Sequence, residues 1–231
     1  MTFRELINEV LLRLREDTIT LDWSGDINNP TNGITAYQKV VASLVNDSKR
    51  AVEIYHDWLV LRETVNITTI NGTDLYNLNS GQEIKVIDVI NKDTGVRLSQ
   101  VSREAMNTLK YPTSSTGEPR YYAFNGTDSS NNLKIQVEPV PVVAETISFD
   151  IIKYQDSLKT ASMVVKVPSQ PVLLGAWSRA ISERGEDGGT QMTITAKETL
   201  ESLNQAILVD SGNTQYESDW FIRAGSERYG R

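Results

Sequence analysis

The chain has 231 residues, 39% hydrophobic and 23% charged, with a formal net charge of −7. That length can bury a full core and the composition is that of an ordinary globular protein, while zero cysteines exclude disulfides, thiolate nucleophiles and thiolate metal sites. The acidic balance speaks against a protein that reads nucleic acid, which needs a basic face to displace counterions, and no stretch approaches the ~18 apolar residues of a membrane span.

The first residues, MTFRE, lack the basic flank and apolar block of a secretory leader, so the Asn-x-Thr sequons at Asn66, Asn71 and Asn125 carry no expectation of glycosylation. Residues 2–16 are expected to form an amphipathic helix: Phe3, Leu6, Ile7, Val10, Leu11 and Leu14 fall on one face. Thr2 and Glu5 have capping-box spacing, in which hydroxyl and carboxylate each satisfy an orphan N–H. Residues 17–34 read as a loop, long enough to be expected at a functional or interface position. Thr35 and Gln38 form a second box, opening a helix to about residue 62 with a stripe of Tyr37, Val40, Val41, Leu44, Val45, Val52, Tyr55 and Leu59. At ~1.5 Å per residue it would span about 40 Å.

Residues 63–70 alternate as a strand, and Asn71 with Gly72 supplies a two-residue hairpin turn returning through Leu75, Tyr76 and Leu78. Residues 83–90 and 96–98 are expected to pair in the same way across KDTG at 92–95, and Ser102 to cap a short helix to Leu109. Three further strands follow. Tyr121 to Phe124 is aromatic; Leu133, Ile135 and Val137 alternate with polar residues, as do Ile147, Phe149 and Ile151. Pro139 and Pro141 stop the second of these, since proline cannot donate to a ladder. About seven strands in adjacent hairpins predict an antiparallel sandwich or barrel. Residues 168–184 are expected to be helical, ended by the GEDGG run at 185–189. A last helix is expected from about 193 to 209, capped by Thr195 with Glu198, striped by Leu200, Leu203 and Ile207, and stopped at Gly212.

The predicted fold is therefore α+β: a helical bundle of residues 1–62 and 160–211, an antiparallel β lobe at 63–159 inserted in it, and an extended arm at 212–231. Trp58 and Trp177 are expected to be buried anchors where the helices before and after the sheet pack together.

Catalytic motifs are missing. His56 is the only histidine and sits in YHDW at a helix end, where a packed, hydrogen-bonded role is expected. Neither Glu186 with Asp187 nor Asp22 with Asp26 has the ligand alternation of a calcium loop. The sequence holds no phosphate-binding glycine loop, nucleophile elbow or zinc motif. No catalytic, cofactor-binding or metal residue is assigned, and no cofactor is expected. The tail differs: Tyr216, Trp220, Phe221 and Tyr229 are interspersed with Arg223 and Arg228. Aromatics and arginine dominate interface hot spots, so these six residues are read as a partner-binding arm.

The order of blocks carries a family resemblance. EIYHDWLVLR at 53–62 ends a helix, GEPRYY at 117–122 opens a strand, Leu133 to Pro141 follows, and a later strand ends at Tyr154. Then PSQP at 168–171 opens a helix containing LLGAW at 173–177. Over roughly residues 35–210 the chain resembles the head-to-tail adaptor (connector, or neck) proteins of tailed bacteriophages, of the tail tubular protein A type. The resemblance implies a non-enzymatic virion protein at the head-tail junction, assembled in the host cytoplasm. It implies a dodecameric ring beneath the portal, joined to a downstream tail or nozzle protein, with the helical lobe nearer the portal. Genomic DNA would pass through without sequence-specific binding, and no membrane is involved. Two other classes remain open on the residues alone. One is a stand-alone β-sandwich binding glycans through Tyr121, Tyr122 and Tyr154; the other is a carboxylate-based hydrolase, whose paired acids are set by three-dimensional separation.

Overall fold

The computed structural model describes residues 1–78, 83–111, 113–185 and 190–213. The chain divides into two compact units, residues 1–60 with 155–231 and residues 61–154. The class is α+β, with five α-helices and two open sheets among the described residues.

In the first unit, α1 (Phe3–Arg13) starts at a complete capping box: Thr2 Oγ1 accepts from Glu5 N while Glu5 accepts from Thr2 N at 2.8 Å. Its face of Phe3, Leu6, Ile7, Val10 and Leu11 is wholly buried. The second box, Thr35 with Gln38, opens α2 (Ala36–Tyr55). This helix is shorter than the periodicity predicts. His56 turns extended, a 3-10 turn spans Leu59–Leu61, and the chain enters a strand at Arg62. Four apolar residues in a row, 58–61, continue the hydrophobic pattern but not the helix.

α4 (Ser169–Arg184) lies at the centre of this unit, packed against α1, α2 and α5 (Thr190–Asn213). Gly185 adopts a left-handed C-cap at φ 65°. Gly175 faces Ser48 of α2 and Thr199 of α5; a Cβ there would collide with Ser48 Oγ, which donates to Val172 O at 2.8 Å. The loop before α2 is pinned from within the same unit. Trp23 is buried edge-on to Phe3, and its indole N–H donates to Lys159 O at 2.8 Å. Asn8 of α1 brackets Ile19 with two backbone bonds.

α5 begins earlier than predicted and runs through Gly212 to Asn213. Thr195 is consequently no cap. It is fully buried in the helix, and its hydroxyl returns to the carbonyls of Gln191 and Met192. Leu203 of the expected stripe is buried, whereas Leu200 is 47% exposed.

The second unit is a two-layer sandwich. One sheet has the order β1 (Arg62–Thr68), β7 (Thr146–Lys153), β3 (Ile84–Asn91), all antiparallel. The other has β2 (Leu75–Leu78), β6 (Leu133–Glu138), β5 (Tyr121–Thr127) and β4 (Ser99–Gln100). Both are open, so the barrel alternative is removed, and the β4–β5 pairing is parallel rather than antiparallel. Inward residues of both sheets share one core: Tyr76, Leu78, Tyr122, Ile135 and Val137 meet Val89, Ile147, Phe149 and Ile151. Tyr122 and Phe149 touch edge-on across the layers, with ring centroids 5.8 Å apart.

The Asn71–Gly72 turn is tight, with Gly72 at φ 74°, but its flanking strands do not pair with each other. β1 pairs with β7 and β2 with β6, so the turn carries the chain from one sheet to the other. Tyr76 fixes it there, its hydroxyl accepting from Ile70 N and donating to Thr73 O. The second expected hairpin is present but short: Leu98 N donates to Val89 O, and Ile90 bridges Arg97. Ser102 caps α3 (Arg103–Lys110) through Ala105 N, as its sequence position predicts.

Candidate interaction surface

The six arm residues, Tyr216, Trp220, Phe221, Arg223, Arg228 and Tyr229, lie outside the described residues, as do Glu186 and Asp187. The last described residue, Asn213, lines a groove of about 250 Å³ with Trp58, Val60, Pro168, Val209 and Asp210. Apolar side chains are exposed on the flanking segments: Ile54 and Tyr55 at the end of α2, Val60 after it, Leu208 and Val209 on α5.

Trp58 is 1% exposed, with its indole N–H donating to Val52 O at 2.8 Å. His56 stands edge-on to it at 4.9 Å, and His56 Nε2 lies 3.0 Å from Asp210 Oδ2. The same carboxylate accepts from Leu59 N. The end of α2 is thereby tied to the end of α5, and the only histidine of the chain is packed and hydrogen-bonded.

Trp177, expected to be buried, is half-buried. It lies beneath the Arg13 guanidinium, 4.9 Å from the ring centroid, beside a cleft of about 370 Å³ also lined by Arg184. Only its apolar body needs cover, and a cation over the ring supplies it from the solvent side.

A buried ion pair lies on the inner face of α2. Lys49 and Glu53, one helical turn apart, are 2% and 0% exposed. Lys49 Nζ donates to Glu53 Oε1 at 3.0 Å and to the carbonyls of Gln155 and Asp156, the first residues of the helical unit after the insertion. Burial pulls the Lys49 pKa below its ordinary value, and the Glu53 contact opposes that. The sequence pattern misses this pair, because a helix face judged by apolar residues alone excludes it.

For the rival readings, Tyr122 is 4% exposed and belongs to the sandwich core, whereas Tyr121 is 37% exposed. Tyr122 cannot offer its face to a sugar, so the three tyrosines form no common binding surface. Among the described residues no group of three or more His, Asp or Glu is placed to hold a metal ion. No described helix is long and apolar enough to cross a membrane.

Comparison with known proteins supplies the functional class. The family model described as SU10 adaptor protein matches residues 1–220, which takes in both structural units and the first part of the arm. No curated protein matches the chain.

Proposed function

The chain belongs to the SU10 adaptor protein family, a family of structural bacteriophage proteins, and from that premise we propose a specific place for it in the particle. It forms a dodecameric ring beneath the portal, joins the portal to the downstream tail or nozzle protein, and continues the DNA channel at the head-tail junction. The single observation that carries this reading is the extent of the match: it covers the helical unit and the inserted sandwich together. One borrowed module would not do so.

The net charge of −7 supports a channel that holds DNA loosely. An acidic wall repels phosphates and lets a duplex slide. The longest basic cluster is the pair Lys49 and Arg50, and Lys49 is buried against Glu53. Binding to free duplex in about 150 mM salt should therefore be undetectable by fluorescence anisotropy, because the net charge is negative and no run of basic residues exceeds that pair. Micromolar affinity with a steep salt dependence would contradict the channel reading.

The ring itself is tested by mass measurement on the isolated protein with and without portal rings. The expected result is a stable complex carrying a full ring of this chain on each portal ring. A chain that stays unbound over a purified portal would remove the proposed position.

A further inference from the structure

The sandwich unit contains a cavity of about 390 Å³ whose chemistry neither the core nor the family accounts for. Its walls include Leu109 at the end of α3, Tyr121 on β5 and Pro139 after β6, and two carboxylates, Glu118 and Glu138, line it. Glu138 is the last residue of β6 and only 2% exposed. Its Oε1 is held by Ser115, from the backbone N–H at 2.8 Å and the hydroxyl at 2.9 Å. Its Oε2 is buried and has no hydrogen-bond partner, and the same is true of Glu118 Oε1.

Two buried carboxylate oxygens without donors in one cavity are costly, and of the four such side-chain atoms among the described residues they are the two that line the same cavity. Lys110 is near enough for the Glu138 charge to act on it, but neither it nor Arg120 hydrogen-bonds the two free oxygens. Arg120, on the cavity rim, is exposed and forms no ion pair with either carboxylate among the described residues. Lys110 is engaged by Asp74.

We propose that this cavity is a receptor for a guanidinium, the arginine side chain of a partner protein. A guanidinium is planar, offers five donors, and bridges two carboxylates where an ammonium serves as a point charge. Leu109 and Pro139, in a lining that is otherwise mostly polar, can cover the methylene stem, and the partly exposed Tyr121 offers a ring for stacking. A bare divalent ion fits worse, since it wants six or more close oxygens and the site has two carboxylates with no third acidic ligand. That the arginine comes from another virion protein rests on the family assignment; the guanidinium chemistry of the cavity does not.

The test is a titration of the ¹⁵N-labelled full chain with acetyl-arginine amide, followed through the backbone amides of Ser115, Gly117 and Tyr121. These should shift in saturable fashion, with acetyl-lysine amide binding more weakly. Glu118→Gln combined with Glu138→Gln should weaken the arginine probe at least about tenfold, as removal of charge-assisted contacts does. The side-chain amide carbonyl introduced by Glu138→Gln can still accept from Ser115, so the fold is retained, and Glu118→Gln alone, at the half-buried member of the pair, should weaken the probe by less than the double variant. Equal binding of the lysine probe, an unchanged affinity in the double variant, or the same shifts produced more tightly by calcium or magnesium would each overturn the proposal. Because the titration uses no portal or tail protein, its failure leaves the adaptor reading standing, and failure of that reading leaves the cavity result intact.

Discussion

Lys49→Met is expected to destabilise the helical unit by about 3–5 kcal/mol, the cost of leaving a buried charge without its partner. Glu53 has no solvent access, and its Oε1 loses the Lys49 ammonium. Its remaining charged neighbour is Arg50, 3.7 Å from Oε2. The carbonyls of Gln155 and Asp156 lose their donor in the same step. Replacing both members, Lys49→Met with Glu53→Met, should recover much of the loss, since a well-packed apolar pair often matches a buried ion pair. Urea denaturation of the single and double variants measures both effects. A single-variant loss under about 1 kcal/mol, or a double variant no better than the single, would show that the pair is not the strut its geometry describes.

Deleting residues 214–231 is expected to leave the melting temperature unchanged and to abolish attachment to the portal. The motive is the composition of the segment, with Tyr216, Trp220 and Phe221 near Arg223 and Arg228. Ordering a segment of that length costs on the order of 1 kcal/mol or more per residue in backbone entropy. Burial of large aromatic area in a neighbouring protein is the means of offsetting it, with the arginines meeting carboxylates at the rim. Pull-down of the truncated chain on portal rings, beside a thermal melt, reads both halves of the expectation. Full docking by the truncated protein, or a lowered melting temperature, would refute the arm.

Signals in the sequence are legible where the physics is local. Both capping boxes and the Ser102 cap form at the predicted residues, because each depends on four consecutive positions. The alternation of β6 and β7 also places its apolar residues inward, with Ile135, Val137, Ile147, Phe149 and Ile151 at or below 1% exposure. Strand pairing is less legible. A turn such as Asn71–Gly72 announces a reversal, and a reversal between two sheets looks the same in sequence as one within a sheet.

The inner face of α2 departs from its sequence pattern for a different reason. Val40 and Tyr55, assigned to the stripe, are exposed, while Gln38, Ser48, Lys49 and Glu53 are buried. Three of those polar residues bond distant segments: Asp17, Val172 and Gln155 are reached from Gln38, Ser48 and Lys49. Their partners are far away in sequence, so no local pattern reveals them. The same holds for Glu138, whose ties to Ser115 arise where the segment before β5 runs beside the chain leaving β6.

The central claim is the position of this chain between portal and tail, and imaging of the intact particle's neck by cryo-electron microscopy tests it most directly. The predicted result is a dodecameric ring of this chain with portal subunits on one side, a tail protein on the other, and DNA density passing through without ordered base contacts. A neck map in which this chain is missing, or in which it sits on the outer surface of the particle with no portal neighbour, would contradict it.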